Sequence, residues 1–222
     1  MRGVQENGLY ELSRLAQWVL WLMAGLIVME VVYGLDAVNY YMMLQRVLAD
    51  EISLFGPEAA LADNTTMIVG LVYLGVYLAA GIASGIWIYR SAWNAREIAG
   101  SDDGIRPGWA VGWYFIPIMN FFKPYQIQKR VWQASGVTAA GWLLPTWWGM
   151  WLLANAIAQV SGRVWMGANS AEEFAGAAIF DMVNVVPSVI CAVLWRRIVH
   201  SVTEAQRPAF ESNLRPAAAV FE

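Results

Sequence analysis

Histidine and cysteine are nearly absent from this 222-residue chain, which holds one of each, His200 and Cys191. A lone cysteine excludes an intramolecular disulfide and any cysteine cluster for a metal. A Ser-His-Asp arrangement or a mixed His/Cys site would have to be built around one imidazole that follows an apolar run. The expectation is therefore no metal site, no cofactor and no catalytic residue set. Charge is scarce as well: 14% of residues are Asp, Glu, Lys or Arg, against roughly 25% in an ordinary soluble domain. Lys and Arg total 14, Asp and Glu 17, for a net charge of -3. No basic stripe offers itself to nucleic acid.

What fills the chain instead is apolar. Hydrophobic residues make up 59%, and Trp alone occurs 13 times. A soluble fold of this size has too much surface to hide that composition, which leaves an all-α integral membrane protein. A spanning helix needs about 20 mostly apolar residues, and four stretches qualify. They are 15–35, with Glu30 its only charge; 66–89, with Gly70, Gly75, Gly81 and Gly85; the Trp-rich 141–160; and 174–193, which contains Asp181, Asn184 and Pro187. Residues 1–14 mix Arg2 and Arg14 with Glu6 and Glu11, and no small-residue exit follows, so the first run reads as a retained helix rather than a cleaved signal. Residues 1–206 read as one polytopic membrane domain, and 207–222 as a cytoplasmic tail.

A fifth apolar stretch, 107–122 (PGWAVGWYFIPIMNFF), is short, broken by Pro117 and closed by Pro124. Lys and Arg near membrane ends favour the cytoplasm, and both flanks are basic: Arg90, Arg96 and Arg106 before, Lys123, Lys129 and Arg130 after. A full crossing would strand one flank outside, together with Arg196, Arg197, Arg207 and Arg215. If the stretch enters and returns, twelve of the fourteen cations face the cytoplasm and only Arg46 and Arg163 lie outside. We therefore expect a re-entrant or interfacial segment, with both termini cytoplasmic in an inner membrane. Backbone freed by Pro117 must then be buried in protein or line a wet cavity.

Short surface helices complete the expected map. Tyr41, Leu44, Leu48, Ile52 and Phe55 recur at helical spacing over 37–55, as an amphipathic helix on the outer surface requires. Residues 124–135 open on Pro124, a favoured first helical position, with Ile127 and Val131 on one face.

At 1.5 Å per residue, Glu30 falls about 8 Å inside the outer end of its helix, Asn155 about as far inside the third, and Asp181 and Asn184 about 10 and 15 Å into the fourth. An ionisable group at such a level is a functional candidate by default, and no Lys or Arg sits there to neutralise Glu30 or Asp181. Either one carboxyl is protonated, or a cation, water or partner subunit compensates it. The plain alternative is that Glu30, Asn155, Asp181 and Asn184 tie helices together by hydrogen bonds. Asn120, between Pro117 and Pro124, either caps the broken backbone or lines a cavity, as in discontinuous transporter helices. The pair Gly81-x-x-x-Gly85 permits close helix approach. Trp142, Trp147, Trp148 and Trp151 read as belt and lipid-facing aromatics.

The block RPGWAVGWYFIPIMNFFKPYQIQKRVWQAS, Arg106 to Ser135, resembles the signature of domain-of-unknown-function family 4328, a group of uncharacterised bacterial multi-pass membrane proteins. The residues that carry the likeness are Pro107, Gly108, Trp109, Gly112, Pro117, Asn120, Pro124 and Trp132. The Arg90/Asn94/Ala95 helix exit, GWLLPTWWGMWLL and the Arg197 to Gln206 run extend it from about residue 65 onward. The resemblance implies the membrane architecture and supplies no reaction.

Three functions follow as expectations. The first is a non-enzymatic interaction or scaffold protein, a subunit of a membrane assembly. The second is a small oligomeric channel or transporter using the acidic layer and the re-entrant segment. A membrane-embedded lipid-modifying enzyme is the weakest, given one His and one Cys. The expected partners are the lipid bilayer and either further copies of the chain or other membrane subunits, with no nucleic acid.

Overall fold

The computed structural model describes residues 8–100 and 104–218, with side chains as far as residue 212. Helices α1 (Ser13–Leu48) and α2 (Pro57–Ala99) are followed by the short α3 (Pro107–Gly112). Two 3₁₀ turns (Trp113–Phe115 and Met119–Phe121) then lead to α4 (Lys123–Ala134), α5 (Leu143–Gly167) and α6 (Ala171–Ala218). The described residues contain no strand, as the composition requires.

Among the described residues three helices, not the expected four, are long and apolar enough to cross a membrane: α1, α2 and α6. Helix α5, at 25 residues, is long enough, but Thr146, Asn155, Gln159 and its indole N–H groups dilute its apolarity. Helix α1 also runs beyond 35. No proline interrupts the chain before Pro57, so the 37–48 stretch continues α1 instead of forming a separate surface helix. Its apolar face is buried in protein: Tyr40, Met43 and Leu44 pack on Ala59, Ala62, Ala171 and Ala175. The tail expected from 207 is helical as far as Ala218, where α6 ends, and residues 219–222 lie outside the described residues.

The chain forms two compact units. Unit 1 comprises Met1–Leu22, Ala80–Trp148 and Leu194–Glu222. Trp87, Val131, Ile198, Val199 and Val202 are fully buried in it. A buried indole needs a partner for its N–H, and small hydroxyl residues supply one: Trp87 Nε1 donates to Thr203 Oγ1 and Trp195 Nε1 to Ser84 Oγ, each at 3.1 Å. Trp147 stacks on Trp195 with ring centres 4.9 Å apart, and Trp148 stacks on Tyr125 at 6.2 Å. Trp147 and Trp148 are thus core residues and not lipid-facing ones, while Trp142 is exposed.

Polar ties close the same unit. Gln206 Nε2 donates to the Ser91 carbonyl (3.0 Å) and to Ser135 Oγ (2.8 Å). Ser135 is held in place because α4 ends in a glycine-capped turn. Gly136 adopts φ +65, and its N–H and that of Val137 reach back to the Gln133 and Trp132 carbonyls, the reciprocal pattern that satisfies a helix C-terminus. Asn94 clasps the segment before α1, accepting from the Tyr10 N–H at 2.7 Å and donating to the Tyr10 carbonyl at 2.8 Å.

Unit 2 comprises Met23–Ala79 and Gly149–Val193. Small residues set its helix spacing. At Gly34 a Cβ would lie 2.6 Å from Val185 Cγ2, so only glycine lets α1 approach α6 this closely. Tyr40 Oη donates to Asp63 Oδ1 at 2.9 Å, and Arg46 pairs with Glu51 and Glu58 on the exposed side.

Candidate functional site

Unit 2 collects the carboxylates that stood out in the apolar runs. Glu30 on α1 is buried, and Tyr73 of α2 donates its hydroxyl to Glu30 Oε1 at 2.8 Å. Asp181 on α6 accepts three donors. Tyr33 Oη of α1 and Trp165 Nε1 of α5 reach its Oδ2 at 3.1 and 2.9 Å, and Ser161 Oγ of α5 reaches Oδ1. The two acids are linked by an aromatic step, since the rings of Tyr33 and Tyr73 lie 5.3 Å apart, centre to centre. The result is a continuous line, Glu30–Tyr73–Tyr33–Asp181, that fastens α1, α2, α5 and α6.

The other two expected members behave differently. Asn184 stands one turn along α6 from Asp181, with its Oδ1 buried and without a hydrogen-bond partner among the described residues. Asn155 does not join the cluster: it is exposed, and its amide donates to the Trp151 carbonyl of its own helix at 2.7 Å. The levels estimated from the apolar runs also change. Because α1 continues to Leu48, Glu30 lies about 27 Å from the C-terminal end of the helix, and Asp181 lies about 15 Å into α6.

Tyr33, Tyr73, Ser161 and Trp165 are the site residues that sequence reasoning missed. Helical spacing carried a partial signal. Glu30 and Tyr33 are three apart and Ser161 and Trp165 four apart, which places each pair on one helix face. Every donor to the two carboxylates is neutral. Among the described residues no salt bridge reaches either acid, and no group of three His, Cys, Asp or Glu is placed to hold a metal. The arrangement is suited to joining helices.

The signature block lies in unit 1. Pro107 opens α3, and Gly112 leaves room for Trp109 to fold back: a Cβ there would sit 3.2 Å from Trp109 Cε3. Trp109 in turn packs on Trp113, ring centres 4.6 Å apart. Pro117 marks the expected break, and Ile118 beyond it takes φ +69. Asn120 donates its backbone N–H to the Ile116 carbonyl at 2.9 Å, while its side-chain Oδ1 is buried without a partner among the described residues. Pro124 is buried in the first turn of α4. Of the glycine pair on α2, Gly85 lies 3.8 Å from Val111 Cγ1 of α3, measured from a Cβ built on it, and Gly81 faces open space.

Long apolar helices fastened by an internal polar line define a helical membrane protein. Residues 51–204 match the family model of a domain of unknown function (DUF4328), and the chain belongs to that family. The match begins ahead of residue 65 and takes in the whole Trp/Pro block. No curated protein and no solved structure matches the chain.

Proposed function

We propose that this protein is a non-catalytic interaction or scaffold subunit of an assembly in the bacterial cytoplasmic membrane. The observation that carries the reading is a polar stripe on α5. Asn155 and Gln159 lie four residues apart, and both are exposed. Polar side chains at membrane depth are costly against lipid and normally face protein. A membrane helix of another subunit, presenting donors and acceptors of its own, satisfies them.

The polar cluster supports the same reading. Asp181 accepts on both carboxyl oxygens from Tyr, Ser and Trp donors, and Glu30 accepts on Oε1 from Tyr73, so that in this reading they act as fasteners rather than stations on an ion path. Charge supports the orientation. By sequence position the segments of unit 1 carry twelve Lys and Arg against eight Asp and Glu, whereas those of unit 2 carry two against nine. In this reading both termini and the 107–122 segment belong on the cytoplasmic side, with 107–122 at the interface and α5, though less apolar than α1, α2 and α6, crossing beside α6 as its antiparallel partner. The Ala168–Ser170 link and the Ser161 and Trp165 bonds to Asp181 support that pairing.

The test is purification in mild detergent. The wild-type chain should hold a membrane partner in fixed stoichiometry, and Asn155→Leu with Gln159→Leu should release it while the melting curve of the chain stays unchanged. Ion flux from the purified chain in liposomes, abolished by Asp181→Asn, would replace this reading with a channel.

A further inference from the structure

Arg106, Lys123 and Arg130 line one cavity of about 380 Å³ in unit 1, together with Trp109, Trp113 and the Gly104 backbone. That volume lies within the roughly 300–1,000 Å³ of ligand clefts. The chain is shaped around the cations. Arg130 Nη1 donates to the Gly104 carbonyl at 3.4 Å. Gly104 has φ +65, a backbone conformation that favours glycine, and this turn brings its carbonyl to Arg130. Lys123 Nζ lies 5.9 Å from the centre of the Trp113 ring. Among the described residues no carboxylate pairs with any of these three cations, whereas Arg46 and Arg207 are both paired. Lys123 also sits in the first turn of α4, a 12-residue helix with no side-chain cap, and the N-terminal end of a helix adds partial positive charge.

Beside this cavity, the same segment carries bare apolar side chains. Phe115 is 81% exposed, Ile118 69% and Phe122 59%. Cations and indoles flanked by projecting apolar residues form an amphipathic surface at the membrane interface, with the apolar groups in the acyl layer and the charges at headgroup level. We propose that this cavity binds the phosphate of an anionic phospholipid headgroup, with Phe115, Ile118 and Phe122 seated among the acyl chains. The site rests on the interfacial placement of 107–122 proposed above and is independent of the α5 stripe.

The experiment titrates the detergent-solubilised full chain with phosphatidylglycerol or phosphatidylcholine and counts bound lipid by native mass spectrometry. Phosphatidylglycerol should bind in preference. Arg106→Gln and Lys123→Gln should each lower its binding about fivefold, the factor expected from removing one cation near an anionic surface. Arg207→Gln should leave it unchanged, and inorganic phosphate should not displace the lipid. Equal binding of the two lipids by the wild-type chain would overturn the proposal without recourse to any variant. An equal loss in Arg207→Gln would overturn it too, as would displacement by inorganic phosphate, which would mark a site for a soluble anion.

Discussion

Replacing Asp181 by alanine removes the acceptor on which three donors from α1 and α5 converge. Hydrogen bonds between helices inside a membrane average about 0.6 kcal/mol each and reach about 1.7, so three lost together should cost about 2 kcal/mol and at most about 5. Asparagine should cost less than about 1 kcal/mol. Its carbonyl oxygen can take the place of Oδ2 and keep Tyr33 and Trp165, while its amide can donate to the Ser161 hydroxyl. The ordering Ala worse than Asn is therefore as diagnostic as the size. Unfolding of the purified chain by steric trapping, followed through Trp fluorescence, measures both. A double-mutant cycle with Tyr33→Phe should return a coupling near 0.6 kcal/mol. A cost for Asp181→Ala within the roughly 0.5 kcal/mol of an ordinary surface substitution would refute the reasoning, and strict additivity with Tyr33→Phe would refute the bond between the two residues.

Gly34→Ala should destabilise the chain by about 1–3 kcal/mol, the usual cost of overpacking, because the new methyl overlaps Val185; adding Val185→Ala should restore most of the loss in the same assay. Gln206→Leu should cost about 1–3 kcal/mol by leaving the Ser91 carbonyl and Ser135 hydroxyl short of a donor, with faster hydrogen exchange at the C-terminal turn of α4 as its local signature. Gln128 is buried in α4 with neither amide atom hydrogen-bonded to any described residue. Gln128→Met should accordingly raise stability by about 1 kcal/mol, read as a higher melting midpoint.

Helical class, membrane character and the break at Pro117 were legible because each has a local cause: apolar runs of sufficient length, and a residue that cannot donate a backbone hydrogen bond. Glu30 and Asp181 were legible for the same reason, as single charges in apolar surroundings. Their partners were not. Tyr33, Tyr73, Ser161 and Trp165 are unremarked residues in a membrane helix until tertiary register brings a hydroxyl or indole N–H to a carboxylate on another helix. The apolar run ends near residue 35 but α1 continues to Leu48, because a drop in hydrophobicity does not stop a helix that meets no proline before Pro57. Trp147 and Trp148 read as lipid-facing in the sequence because an indole suits a membrane interface as well as it suits a core; the stacking on Trp195 and Tyr125 is visible only in three dimensions. Asn155 was misplaced in the polar cluster, since spacing along one helix says nothing about which side its neighbours occupy.

Labelling with a membrane-impermeant maleimide tests the central claim most directly, on a Cys191→Ser background carrying either Phe55→Cys or Glu211→Cys. Phe55 is almost fully exposed between α1 and α2, and Glu211 is exposed near the end of α6. With the cation-rich segments in the cytoplasm, intact spheroplasts should be labelled at position 55 and should be labelled at position 211 only after permeabilisation. Labelling at 211 from outside the intact membrane would contradict the orientation and, with it, the pairing of α5 beside α6.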